Sequence, residues 1–168
     1  DTPRWIFLVC MGLLLSPSLV QASTPAWWPL IDTASPTEPL ATRYRPPTGF
    51  HRVAVGPQSF AAWLRTLPIR TDRMQVLSYQ GLPLKRPSAG IVAMDVGNRD
   101  LMQCADSIIR LHAEYLWAHG RQNEAAYRFT SGDETRWQDW VSGEQFRIEG
   151  NQVKRIQGAP RPSTHANY

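Results

Sequence analysis

The stretch from Leu101 to His119 carries the sharpest helical signal in this 168-residue chain. At about 100° per residue, Leu111, Cys104, Tyr115, Ile108, Ala105, Leu116 and Ile109 gather on one arc, with His112 and His119 at its centre. Gln103, Asp106, Ser107, Arg110 and Glu114 fill the opposite side. Asp100 and Gln103 have the spacing of a capping box, with Asp100 as the N-cap, and Gly120 supplies the stop. A helix with such an arc needs a layer to bury it against. The nearly continuous apolar run Ile91–Val96, ended by Gly97-Asn98, reads as a strand covered on both faces. The expected architecture is therefore α+β: a small mixed sheet that includes Ile91–Val96, with the long amphipathic helix packed on one face.

Weaker signals fill in the rest. His51–Val55 is a short strand candidate, and Phe60, Trp63, Leu64 and Leu67 repeat at helical spacing between Pro57 and Pro68. Arg73–Tyr79 alternates like a strand. Ala125–Thr130 reads as a strand, Glu134–Trp140 as a short helix, and Phe146–Ile148 and Val153–Ile156 as strands around a turn. These elements place one domain at residues 49–168. Ahead of it, residues 23–48 are rich in proline, serine and threonine, without periodicity, and read as a linker. Its Trp27-Trp28 pair is expected to dock on the body.

Residues 1–22 have the build of a signal peptide: Arg4, the apolar run Trp5–Leu15, then Val20 and Ala22 at the small-residue positions of a cleavage site. The run of about 11 apolar residues is too short to span a bilayer, which needs roughly 20, so no stable membrane insertion is expected once the leader is removed. Cys10 has no small residue directly before it, which argues against a lipid anchor. The expected location is periplasmic or extracellular. Removing the leader leaves a single cysteine, Cys104, which excludes an internal disulfide and a cysteine-rich zinc module. No glycine-rich phosphate loop and no His-Glu-x-x-His motif is present, so no cofactor or metal is expected. A net charge of +4, spread over scattered basic residues, gives no nucleic-acid-reading element.

Cys104 is the first candidate for chemistry. Near a helix start, backbone N–H groups and the helix dipole favour a thiolate, which suits a nucleophile. The same position lies in the apolar arc, where unreactive cysteines are buried, so both readings stand. A thiol hydrolase needs a histidine in contact. His112 is too far along the same helix, about 12 Å by axial rise, and reads as a core or cleft-lining histidine. His51 and His165 remain as partners that the sequence does not place. Asp95 is an acid inside an otherwise apolar strand and is expected to be buried against a partner such as Arg99 or Arg110. Trp137 and Trp140, three apart, are either core anchors or an aromatic platform for a glycan or peptide.

Taken together, Phe60–Pro68, the string Asp95-Val-Gly-Asn-Arg-Asp-Leu-Met-Gln-Cys-Ala-Asp106, Arg110-Leu-His-Ala-Glu-Tyr-Leu116 and Phe129-Thr-Ser-Gly132 followed by Trp137 and Trp140 resemble the bacterial domain of unknown function 4846. The resemblance covers roughly residues 50–168 and implies a domain that continues beyond Tyr168. A cysteine at a helix start with a later histidine resembles the order of papain-like peptidases and amidases. On that analogy the chain carries the first half of a papain-like fold. Cys104 would then be the nucleophile, with its histidine in the missing part. Three readings follow: an exported cysteine-type amidase or peptidase of the cell envelope; a non-catalytic envelope protein that binds glycan or peptide around Trp137, Trp140 and His112; or an inactive fragment.

Overall fold

The computed structural model describes residues 35–86 and 88–168. The expected signal peptide, and with it Cys10 and the Trp27-Trp28 pair, lies outside the described residues. The domain is α+β. Its strands are β1 (Thr37–Pro39), β2 (Pro68–Arg70), β3 (Ala126–Arg128), β4 (Glu134–Arg136), β5 (Glu144–Glu149) and β6 (Gln152–Gln157). The helices are α1 (Leu40–Arg43), α2 (Phe60–Leu64), α3 (Cys104–Ala118) and α4 (Trp137–Val141), with 3₁₀ turns at Gln122–Glu124 and His165–Asn167. Among the described residues the strands form three antiparallel pairs, β1–β2, β3–β4 and β5–β6, in place of the one mixed sheet expected.

Two strand expectations shrink to fragments. Ile91–Val96 contributes a single antiparallel bridge, Val92 to Ile69, flanked by Arg70 N–H to Ile91 O and Ala93 N–H to Pro68 O, both 2.8 Å. Only Ala93 of this run is buried, so it edges β2 and is not covered on two faces. Arg73–Tyr79 makes one bridge, Leu77 to Pro83, inside a tight loop, and His51–Val55 is irregular. Apolar content alone does not make a ladder when no partner strand lies alongside. The folded body also begins earlier than residue 49. β1 pairs with β2 from Thr37↔Arg70 to Pro39↔Pro68, and Leu40 N–H donates to Leu67 O.

Caps decide the helix ends. The Ser59 hydroxyl accepts from Ala62 N–H at 3.1 Å, so α2 starts at Phe60 and not at Pro57. The Asp100 capping box does not form: the N-cap of α3 is Gln103, with no side-chain cap bond, and the helix starts at Cys104. A cap stabilises by about 1 kcal/mol, too little to hold an extra turn whose apolar residue, Leu101, stays in water. The other end is firm. Gly120 takes φ +66°, Arg121 N–H reaches Leu116 O at 2.8 Å and Gly120 N–H reaches Trp117 O at 3.0 Å, a Schellman closure.

The core is small and aromatic. Trp63 and Leu67 from the α2 region, Tyr115 and Leu116 from α3, Ala125, and Trp137 from α4 form one cluster. It encloses only the C-terminal half of α3. Glu114, Tyr115 and Leu116 are all buried, while Ile108 is 66% and Ile109 40% exposed. The apolar arc therefore does not describe burial along the whole helix. Around residues 114–116 several elements converge: Phe60 and Trp63 of α2 pack on Tyr115, Leu116 shares the core cluster with Ala125 and Trp137, and His165 of the last turn meets Glu114. That last contact comes from the chain after β6. It crosses α4, with Arg161 N–H bonded to Val141 O at 2.8 Å, and returns to α3.

Candidate functional site

Two adjoining clefts lie where this returning segment meets α3. The first, of about 260 Å³, is lined chiefly by Tyr127, Thr135, Arg136, Trp137, Trp140 and Tyr168. The second, of about 530 Å³, is lined by Asp95, Gly97, Arg110, Glu114, His165 and Tyr168. Ala113 and Tyr168 belong to both walls.

The aromatic cleft is set up by the β3–β4 pair and α4. Trp137 opens α4 and is buried, its indole edge-on to Trp117 at 6.3 Å and to Tyr168 at 4.8 Å between ring centroids. It is a core anchor that forms the back of the cleft. Trp140, one helical turn on, is half-buried. The Arg161 guanidinium sits 3.8 Å from its ring centre and donates to the Trp140 carbonyl at 2.8 Å, which fixes the indole in place. Tyr127 from β3 is half-buried and its hydroxyl lies 3.2 Å from His112 Nδ1. Burial pushes the Tyr127 phenol up to about 12 and raises Tyr168 from its usual range by the same cause, so both present neutral hydroxyls at ordinary pH.

The Tyr168 hydroxyl is buried without a hydrogen-bond partner among the described residues. An orphaned buried hydroxyl costs about 1–3 kcal/mol. Tyr168→Phe should therefore raise the thermal midpoint while keeping the ring contacts to Trp117 and Trp137. A midpoint that falls would mean that the hydroxyl does have a partner.

The polar cleft is organised by Glu114. Its carboxylate is buried, 4% exposed as a residue, and accepts from Arg110 Nε at 2.7 Å through Oε1 and lies 2.7 Å from His165 Nε2 through Oε2. His165 also packs on Trp117, with ring centroids 5.2 Å apart. The carboxylate thus carries one cation from its own helix and one imidazole from 51 residues downstream. This buried acid was missed in the sequence because Glu114 falls on the polar side of the arc. The one available signal was its i,i+4 spacing from Arg110.

Asp95, expected to be the buried acid, is exposed. Its Oδ1 accepts from Gly97 N–H at 2.9 Å in a turn, and Arg110 pairs with Glu114 instead. His112 lines neither cleft; besides Tyr127 it meets Phe60 edge-on at 5.5 Å. His119 Nδ1 lies 2.7 Å from the Tyr115 carbonyl, one turn back, and His51 is exposed. Cys104 is exposed at the first residue of α3, and no histidine contacts it among the described residues. Ten residues separate it from Glu114, about 15 Å along the helix, so it belongs to neither cleft. No group of three or more metal-ligating side chains is found among the described residues, and no described helix is long and apolar enough to cross a membrane.

A family model described as domain of unknown function (4846) matches residues 40–168. No curated protein and no solved structure matches the chain.

Proposed function

The chain belongs to the domain of unknown function 4846 family, and within that family we propose that it is a binding domain of the cell envelope, exported by its leader, which takes a peptide or glycan ligand in the aromatic cleft. The observation that carries this reading is Trp140. A half-buried indole, immobilised by Arg161 stacked on one side, lines a concave wall with Tyr127 and Tyr168. Rigid aromatic walls with a few polar groups are the usual build of a ligand site, because they offer large contact area at little entropic cost. Arg136 and Thr135 at the rim add hydrogen-bonding groups.

The cysteine-hydrolase reading, with its papain-like fold, rests on Cys104 alone. The histidine most able to serve as a base, His165, is engaged with Glu114 far from that thiol. In the binding cleft Trp140 is the contact residue, with Trp137 behind it.

Replacing Trp140 by leucine, which keeps a bulky apolar packing group and removes the indole face, should reduce retention on isolated cell-envelope material at least tenfold. The circular dichroism spectrum should stay unchanged. Retention equal to that of the unaltered chain would overturn the proposal.

A further inference from the structure

The polar cleft adjoining the aromatic one contains charged groups that the fold does not fully use. Arg110 is held by Nε to the buried Glu114, and neither of its terminal nitrogens makes a hydrogen bond among the described residues, though the side chain lines the cleft and is a third exposed. His165 gives one ring nitrogen to Glu114; its other makes no hydrogen bond among the described residues. Glu114 thereby holds Arg110 by Nε and leaves its Nη pair for another partner. An arginine fixed at Nε by a carboxylate keeps its planar Nη pair free for a second, incoming oxyanion.

We propose that this cleft recognises a carboxylate of the ligand, with Arg110 as the receiving group, and that the ligand of the domain is a peptide whose carboxylate-bearing residue also places an apolar side chain against Trp140. Asp95 decides between carboxylate and phosphate. It lines the same cleft, and its Oδ2 makes no hydrogen bond among the described residues. A doubly charged phosphate is repelled there more strongly than a singly charged carboxylate, and a peptide also brings an N–H from which Asp95 can accept. Tyr168 and Ala113, shared by both walls, make the two recognition elements neighbours.

This inference rests on the envelope-binding reading and narrows it. The test uses two probes of one shape, N-acetylphenylalanine and its uncharged amide, titrated at fixed ionic strength and followed by backbone amide shifts. The acid should bind about tenfold more tightly than the amide, the usual advantage of a charge-assisted pair. Arg110→Gln should bring acid and amide to the same affinity. Equal affinity of acid and amide for the unaltered chain, or shifts from neither, would overturn carboxylate recognition without any variant having to fold. Envelope retention that still depends on Trp140 in that case would leave the broader reading standing. Retention independent of Trp140 would remove that reading as well.

Discussion

Trp137→Ala is expected to cost about 3–5 kcal/mol, the range for deleting a buried tryptophan, and so to remove a large share of a domain stability of about 5–15 kcal/mol. The indole is 6% exposed and ties three separate pieces of chain together: the start of α4, Trp117 on α3, and Tyr168 after the last turn. Its backbone N–H donates to Ala125 O at 3.0 Å, which aligns α4 with the entrance to β3. The truncated site cannot collapse easily, because its lining rings belong to elements braced from opposite sides. Trp140→Ala, by contrast, should cost about 1–2 kcal/mol, since that side chain is only partly buried, packed on the edge of the core and under Arg161. Urea unfolding of both variants reads the difference. A Trp137→Ala loss no larger than that of Trp140→Ala would mean that the two tryptophans have exchanged roles.

That contrast also shows what the sequence could and could not convey. Spacing of three identified Trp137 and Trp140 as a pair but not which of them faces the core, because on so short a helix the answer depends on where Trp117 and Tyr168 arrive. The β5–β6 hairpin was legible in its existence, from two short strand-forming stretches on either side of Gly150, which takes φ +59° in the turn. The end of α3 was legible for a similar reason, since Gly120 encodes it locally. The charged site was not. Its defining contact, His165 to Glu114, spans 51 residues and exists only once the returning segment lies on α3. The apolar arc pointed the other way, toward a buried Ile108 and a solvated Glu114. Periodicity measures which face of a helix is greasy, not how much of the helix is enclosed. Asp95 fails by the same logic in reverse: an apolar neighbourhood in sequence became an exposed edge in space.

The enclosed carboxylate leads to an asymmetry that can be measured. Arg110→Ala should destabilise the domain by about 2 kcal/mol, below the 3–5 kcal/mol typical of breaking a buried pair, because a third of the Arg110 side chain is already in water. The loss arises from what remains: a buried Glu114 carboxylate with His165 as its one other partner among the described residues. Glu114→Leu should cost less than Arg110→Ala, although Glu114 is much the more buried of the two. It replaces a charge by an apolar group of similar volume and releases two side chains that can reach solvent. Combining the changes, Arg110→Ala with Glu114→Leu, should then restore stability relative to Arg110→Ala alone, since the stranded charge is gone. A four-member cycle in urea measures this directly, and contact across 2.7 Å makes non-additivity of about 1–2 kcal/mol the expectation. If Arg110→Ala and the double variant unfold at the same denaturant concentration, Glu114 is hydrated without its arginine, and the polar cleft is wetter than its burial implies.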